Sequence, residues 1–177
     1  EVPPSASQAS ALSASELLRA TLRASNDKPA VLTLGPLTNL ADALQTDPAL
    51  ASRVQAVFIM GGAIRVGGNI AGSGMGFTNR VAEWNFLTDP LAADEVFEAG
   101  LDLYLIPLDA TNEVLLRFED IQPWYEGDAK ASMIAGLYEK LFADYGMEMV
   151  EIFDLTAAVI MAHPETCQME SLALNVV

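Results

Sequence analysis

Three short apolar runs, each cut off by glycine or proline, do most to limit the folds open to this sequence. Ala30-Val31-Leu32-Thr33-Leu34 stops at Gly35-Pro36, Val57-Phe58-Ile59-Met60 at Gly61-Gly62, and Leu103-Tyr104-Leu105-Ile106 at Pro107. Runs this short and this continuously apolar suit strands buried on both faces, the habit of parallel sheets. Helical patterns separate them. One runs from about Thr38 through Leu44, and Asp47-Pro48 restarts a helical turn; Asp89-Pro90 opens another that continues through Phe97 and ends at Gly100. Ahead of the first run, Ser13 and Glu16 form a capping-box pattern before Leu17, Leu18 and Leu22. The alternation predicts an α/β fold with a mostly parallel sheet flanked by helices.

The second half reads as more helical. Asp128 to Tyr145 carries Met133, Ile134, Leu137, Leu141 and Phe142 in an amphipathic pattern, and Leu155 to Met161 suits a short apolar helix beginning just after Asp154. Ser171 to Val177 reads as a strand. Between Ala63 and Arg80 the chain is glycine-rich and irregular, a kind of long loop that is usually functional or disordered. With no internal repeat and no clear linker, residues 1–177 read as a single, incomplete domain.

Composition then removes several functions. A net charge of −15, with 9 Lys and Arg against 24 carboxylates, disfavours binding to a phosphate backbone, so no nucleic-acid partner is expected. The acidity is compatible with a neutral or cationic ligand, or with a divalent metal seeking oxygen donors; taken alone, its plainer reading is solubility. One cysteine, Cys167, excludes an internal disulfide or a thiolate zinc cluster, and one histidine, His163, leaves little room for a His-based triad. No apolar run approaches bilayer-spanning length, so no membrane partner is expected. The Ser/Ala-rich start, Glu1 to Ser15 with Pro3 and Pro4, lacks the basic and apolar regions of a signal peptide.

In open parallel sheets ligands bind beyond the carboxyl ends of the strands. Leu34 to Asn39, Met60-Gly61-Gly62 with its long loop, and Pro107 to Asn112 would share that rim. Glu83 and Asn85, two apart, would point the same way from an extended segment, a carboxylate beside an amide suited to vicinal hydroxyls. The plainer reading is a surface strand with two solvated polar groups. Trp84 would then point oppositely, into the core. Asp109 could face the rim or bond its own loop. His163 reads as a helix-end residue, Cys167 as an ordinary thiol, Trp124 as packing, and Asp102, Glu113, Glu119 and Asp120 as solvated surface.

Five segments, in order, resemble the inosine–uridine-preferring nucleoside hydrolase family. Thr33-Leu34-Gly35-Pro36-Leu37-Thr38-Asn39-Leu40-Ala41 is similar to its TGPLTNxA segment, and Met60-Gly61-Gly62-Ala63 to its MGG turn. Ala82-Glu83-Trp84-Asn85, with Asp89-Pro90 and Ala92-Ala93, resembles AExN…DPxAA; Leu108-Asp109-Ala110-Thr111 resembles LDxT, and Asp154 to Val159 resembles DPLAVA. The resemblance implies a nucleoside-hydrolase-like fold and a calcium-dependent N-ribohydrolase that converts ribonucleosides to ribose and free base. It implies calcium ligation by Asp154 and by the backbone carbonyl of Leu34, and sugar contacts from Met60, Asn69, Glu83 and Asn85, with Asn79 the rival of Asn69 because Ile70 to Phe77 resembles an insertion.

The sequence also departs from the family. No DxDxGxDD-type cluster precedes Ala30, so the catalytic base and most calcium carboxylates are expected in an N-terminal segment outside this chain, and no catalytic residue within it. Asp154 and one carbonyl cannot satisfy calcium alone, so the isolated chain is expected to be inactive. Phe153 and Asn112 stand where many members have histidine. The Leu108-Asp109-Ala110-Thr111-Asn112 variant resembles exported bacterial members, which implies a periplasmic or exported location. The expected partner is a ribonucleoside, and a homo-oligomer is compatible. The rival reading is a short relative without catalysis, acting as a ligand-binding or structural module.

Overall fold

The computed structural model describes residues 8–71 and 73–177. Glu1 to Ser7, most of the Ser/Ala-rich start's first half, and Gly72 of the glycine-rich loop lie outside the described residues. The three apolar runs form one parallel sheet in the order β1 (Val31–Thr33), β2 (Val57–Met60), β3 (Leu103–Ile106). Thr33 pairs with Ile59, and Met60 with Ile106, so the strands end level with one another.

Side chains alternate across a sheet, and here each face meets different helices. Val57 and Ile59, both fully buried, face α1 (Ala14–Ala24), α2 (Thr38–Thr46) and α4 (Pro90–Glu98) through Leu22, Leu40, Leu44, Ala93 and Val96. Met60, Phe58 and Ile106 meet α7 (Phe153–Ala162) through Ala157 and Ile160. Each fully buried aliphatic side chain contributes roughly 1.5–3 kcal/mol, so this sandwich is the main source of stability.

Helix starts follow local sequence. Ser13 Oγ accepts from Glu16 N–H (3.3 Å) and the Glu16 carboxylate accepts from Ser13 N–H (2.8 Å), closing the expected capping box. Asp89 caps α4 by accepting from Ala92 N–H (3.1 Å), and Thr38 Oγ1 donates to the same carboxylate (2.5 Å), tying α2 to α4. The expected long helix is α6 (Ala129–Tyr145), begun by Asp128 and ended at Gly146 with φ 60°.

Beside α6 lies an antiparallel pair that local pattern did not announce, β4 (Leu115–Arg117) and β5 (Met149–Glu151). With the 3-10 segment Phe118–Glu126 it encloses a small core of Leu116, Ile121, Ala135 and Phe142. Trp124 packs edge-on against Tyr138 there. Asp120, expected to be merely solvated, accepts from Arg117 N–H (2.8 Å).

Two expectations fail. Ser171 to Val177 forms no strand; Val176 packs against the main core, but strand propensity alone supplies no ladder partner. Nor is the segment through Glu83 to Phe86 extended. Glu83 caps the helix α3 (Trp84–Thr88), so Trp84 is 39 % exposed and not a core residue. No helix among the described residues is long and apolar enough to cross a membrane.

Candidate active site

The level strand ends create the rim. Met60 closes β2, Leu34 follows β1 at the neighbouring level, and Pro107 leads from β3 into α5 (Leu108–Thr111). α7 lies against β1 and β2, which brings Asp154 of its first turn to this side of the sheet.

Glu83 is the hub. Only 3 % exposed, it takes three backbone N–H bonds: Oε2 from Gly62 (2.9 Å) and Phe86 (3.1 Å), Oε1 from Asn85 (3.0 Å). One carboxylate thus starts α3 and fastens it to the turn after β2. Of about four acceptor positions on a carboxylate, three are committed, leaving one for a ligand.

The amides on either side have fixed polarity. Asn85 Nδ2 donates to the Met60 carbonyl (3.1 Å) and lies 3.4 Å from Met60 Sδ. A carbonyl only accepts, so the Asn85 amide cannot be reversed, and its own oxygen is the end left for a ligand. Asn69 is the converse. Its Oδ1 accepts from Trp84 N–H (2.9 Å), leaving Nδ2 to donate. An acceptor, a donor and one carboxylate lone pair form a set that neighbouring hydroxyls, each both donor and acceptor, can answer.

Asp154 is open to solvent as a residue, yet its carboxyl pKa is raised. Loss of hydration against the protein is the larger cause, and the negative charge of Glu83 the second. The electrostatics therefore join Asp154 to Glu83, and the hydrogen bonds join Glu83, Asn85, Met60 and Asn69. Leu34 is placed at the same rim, 41 % exposed, and makes no side-chain hydrogen bond to the other described site residues.

The donor set does not fit a calcium ion by itself. Among the described residues no group of three His, Cys, Asp or Glu side chains could hold a metal. Asp154 and the Leu34 carbonyl fall well short of the six to eight oxygens calcium takes.

Other candidates fall outside the cluster. Asn79 Oδ1 accepts from Val81 and Ala82 N–H (both 2.9 Å), an Asx-type turn closing the glycine-rich loop. His163 ends α7 on the surface, 3.2 Å from Glu165, and Cys167 is a half-buried free thiol. A cavity of about 380 Å³ is lined by Glu83 and Asn79 together with Phe86, Phe97, Leu105 and Val176; Met60, Asn69, Asn85 and Asp154 do not line it.

Sequence reasoning left the role of one supporting residue open and missed another. Asp109 bonds not its own loop but the loop that leaves the rim at Met60-Gly61-Gly62, accepting from Ile64 and Arg65 N–H (both 2.8 Å). At Gly68 a Cβ would lie 2.0 Å from the Ala82 carbonyl oxygen, so only glycine lets the two ends of the loop cross. The Gly67-Gly68 pair was the available signal.

A parallel sheet sandwiched by helices, with polar groups beyond its carboxyl strand ends, defines an α/β protein whose candidate ligand site is that rim. More narrowly, the chain belongs to the family described as Inosine-uridine preferring nucleoside hydrolase, which matches residues 1–177. It is 32 % identical over 158 residues to "Probable uridine nucleosidase 2" of Oryza sativa subsp. japonica, covering 86 % of this chain and 44 % of that protein. It is 31 % identical to "Uridine nucleosidase 1" of Arabidopsis thaliana, covering 93 % and 48 % respectively. Among solved structures, the purine-preferring ribonucleoside hydrolase from Gardnerella vaginalis superposes with a TM-score of 0.78 at 25 % identity, covering 93 % of this chain and 52 % of that one. The chain therefore spans about half the length of the relatives it matches.

Proposed function

We propose that this chain forms the sugar-binding part of a ribonucleoside hydrolase, which cleaves the N-glycosidic bond to give ribose and free base. One observation carries the reading: Asn69, Glu83 and Asn85 are each fixed by backbone bonds that leave one defined hydrogen-bonding end. In this reading Asn69 donates to a ribose oxygen, while Asn85 and the last Glu83 lone pair accept from ribose hydroxyls. Met60, buried under them, is the apolar floor of the sugar.

Glycoside cleavage passes through an oxocarbenium-like state, and fixed carboxylates beside the ribose favour its positive charge. Glu83 and Asp154 supply two. Phe153 packs into the apolar cluster around Met60 and has no proton to give, so protonation of the leaving base falls to another group. Calcium belongs to the reading for the complete protein, with Asp154 and the Leu34 carbonyl among its ligands, but these two do not make a site. The isolated chain accordingly binds calcium weakly and hydrolyses little. The base is left open, because relatives' names point to uridine in one case and purines in another.

The test is an NMR titration of the chain with ribose, following the side-chain amides of Asn69 and Asn85, beside a hydrolysis assay with inosine and uridine in calcium. Shifts at both amides, lost in Asn85→Ala, support the reading. No shift at roughly 100 mM ribose, far above the millimolar range of a weak specific site, would sink it. Ribose binding together with full hydrolysis by the isolated chain would show that its own residues include the catalytic base, contrary to the assignment here.

A further inference from the structure

We propose that Asp109 is a positioning residue for the sugar site: its carboxylate fixes the loop that carries Asn69. The proposal rests on the reading of Asn69 as a sugar contact for its consequence, and on geometry alone for the positioning.

The chain leaving β2 runs beside the corner between β3 and α5. Gly61 N–H donates to the Ile106 carbonyl (3.2 Å), and Leu108 N–H donates to the Gly62 carbonyl (2.9 Å). Backbone pairing ends there. Asp109 extends it, Oδ2 accepting from Ile64 N–H and Oδ1 from Arg65 N–H, each at 2.8 Å. Gripping two consecutive amides with both oxygens fixes the orientation of the peptide between them, which a single bond would not do.

The carboxylate has no evident electrostatic reason to be there. Arg65 turns its guanidinium away to Glu170 (2.9 Å), and the chain already carries a net charge of −15. Ile64 and Arg65 are exposed residues, whose amides water could satisfy. What water would not supply is a fixed direction.

From Arg65 the chain has only Val66, Gly67 and Gly68 before Asn69. Gly68 N–H bonds the Arg80 carbonyl (2.8 Å) where the loop ends cross, and Ile70 just beyond is 1 % exposed. Asn69 is thus held between Asp109's grip on one side and the buried Ile70 on the other. Its Oδ1 must meet Trp84 N–H from that short span. Loosening the near anchor releases the donor end that the sugar would meet.

The experiment compares the chain with Asp109→Asn and Asp109→Ala. Hydrogen exchange is followed at Ile64, Arg65 and Trp84, with Ile59 of β2 as the core reference, and ribose affinity is measured by NMR titration. Losing a charge-assisted bond should speed exchange at Ile64 and Arg65 by about tenfold or more. The proposal expects Trp84, whose N–H is held by Asn69, to quicken with them while Ile59 does not, and ribose affinity to fall by about five- to tenfold. Unchanged Trp84 exchange beside faster Ile64 and Arg65 would overturn it, showing a grip that does not reach Asn69. Loss of Ile59 protection in both variants would also overturn it, making Asp109 a residue of the fold. If the unaltered chain binds no ribose, the proposed function fails, and Trp84 exchange still decides the positioning.

Discussion

Replacing Glu83 separates the bonds it makes from the charge it carries. Its carboxylate satisfies three N–H groups at 2.9–3.1 Å and is 3 % exposed, so nothing nearby can replace it at once. Glu83→Ala orphans all three. At about 1–3 kcal/mol per buried unsatisfied donor, and with some relief from water entering beside the half-buried Asn85 and Phe86, the loss should be roughly 3–5 kcal/mol. Glu83→Gln keeps one oxygen, which can go on serving Gly62 and Phe86, but turns an amide NH2 toward Asn85 N–H. One bond becomes a donor–donor contact, costing about 1–2 kcal/mol. Both variants remove the same single negative charge from a chain of net −15, so relief of self-repulsion cancels in their difference. That difference, about 2 kcal/mol, is the quantity to measure. Urea unfolding should show it at unchanged slope, and thermal melts as about 4–8 °C for a chain of this size. A difference below roughly 0.5 kcal/mol would refute the view that Glu83 holds the turn and α3 together through its oxygens.

Asp154 has a raised carboxyl pKa, so folding favours its protonated form; that advantage is present near and below the ordinary value of 3.8 and is lost as pH rises through the folded-state pKa. Asp154→Asn should therefore melt higher than the parent at pH 7 and flatten that part of the Tm–pH curve; a lower Tm at pH 7 would contradict the assignment. Because burial is the larger cause and Glu83 the second, Glu83→Gln should lower the Asp154 pKa only part of the way, as read by carboxyl NMR. Asp89 is the opposite case: its pKa is lowered, first by the Thr38 hydroxyl and then by the Ala92 amide, so its contribution is present above the ordinary value and lost as pH falls through the lowered one. Asp89→Ala should lower Tm at neutral pH and remove that acid-limb step, and an unchanged acid limb would count against the cap. Gly68→Ala must push the loop ends apart, since its Cβ would sit 2.0 Å from the Ala82 oxygen; a loss of about 2 kcal/mol or more, or faster exchange at Trp84, is expected, and neither would mean the crossing is slack.

The elements that were legible share a local cause. Ser13 and Glu16 announced α1 because a capping box is written within four residues, and the runs ending at Gly35, Gly61 and Pro107 announced the sheet because apolar stretches too short for helices need cover on both faces. β4 and β5 were not legible, since each is three residues long and finds its partner only across α6. Ser171 to Val177 misled for the same reason in reverse: its residues favour a strand, but in the fold it pairs with none.

For the site, sequence named Met60, Asn69, Glu83, Asn85, Asp154 and Leu34 through residue types at family spacings, but misread the segment carrying two of them. Alternation in an extended strand put Glu83 and Asn85 on one side; in the fold Glu83 turns back to cap α3 and takes the Gly62 amide, a partner 21 residues away. By itself, then, the sequence determined the three strands of the parallel sheet, most helices, the family and the chemical inventory of the rim, because those are set by local pattern and side-chain type. Only the tertiary structure decided which ends of Asn69 and Asn85 are left for a ligand, that Asp109 grips Ile64 and Arg65, and that Asp154 feels Glu83. Hydrogen-bond polarity and charge coupling depend on distances between remote segments, and no local pattern encodes those distances.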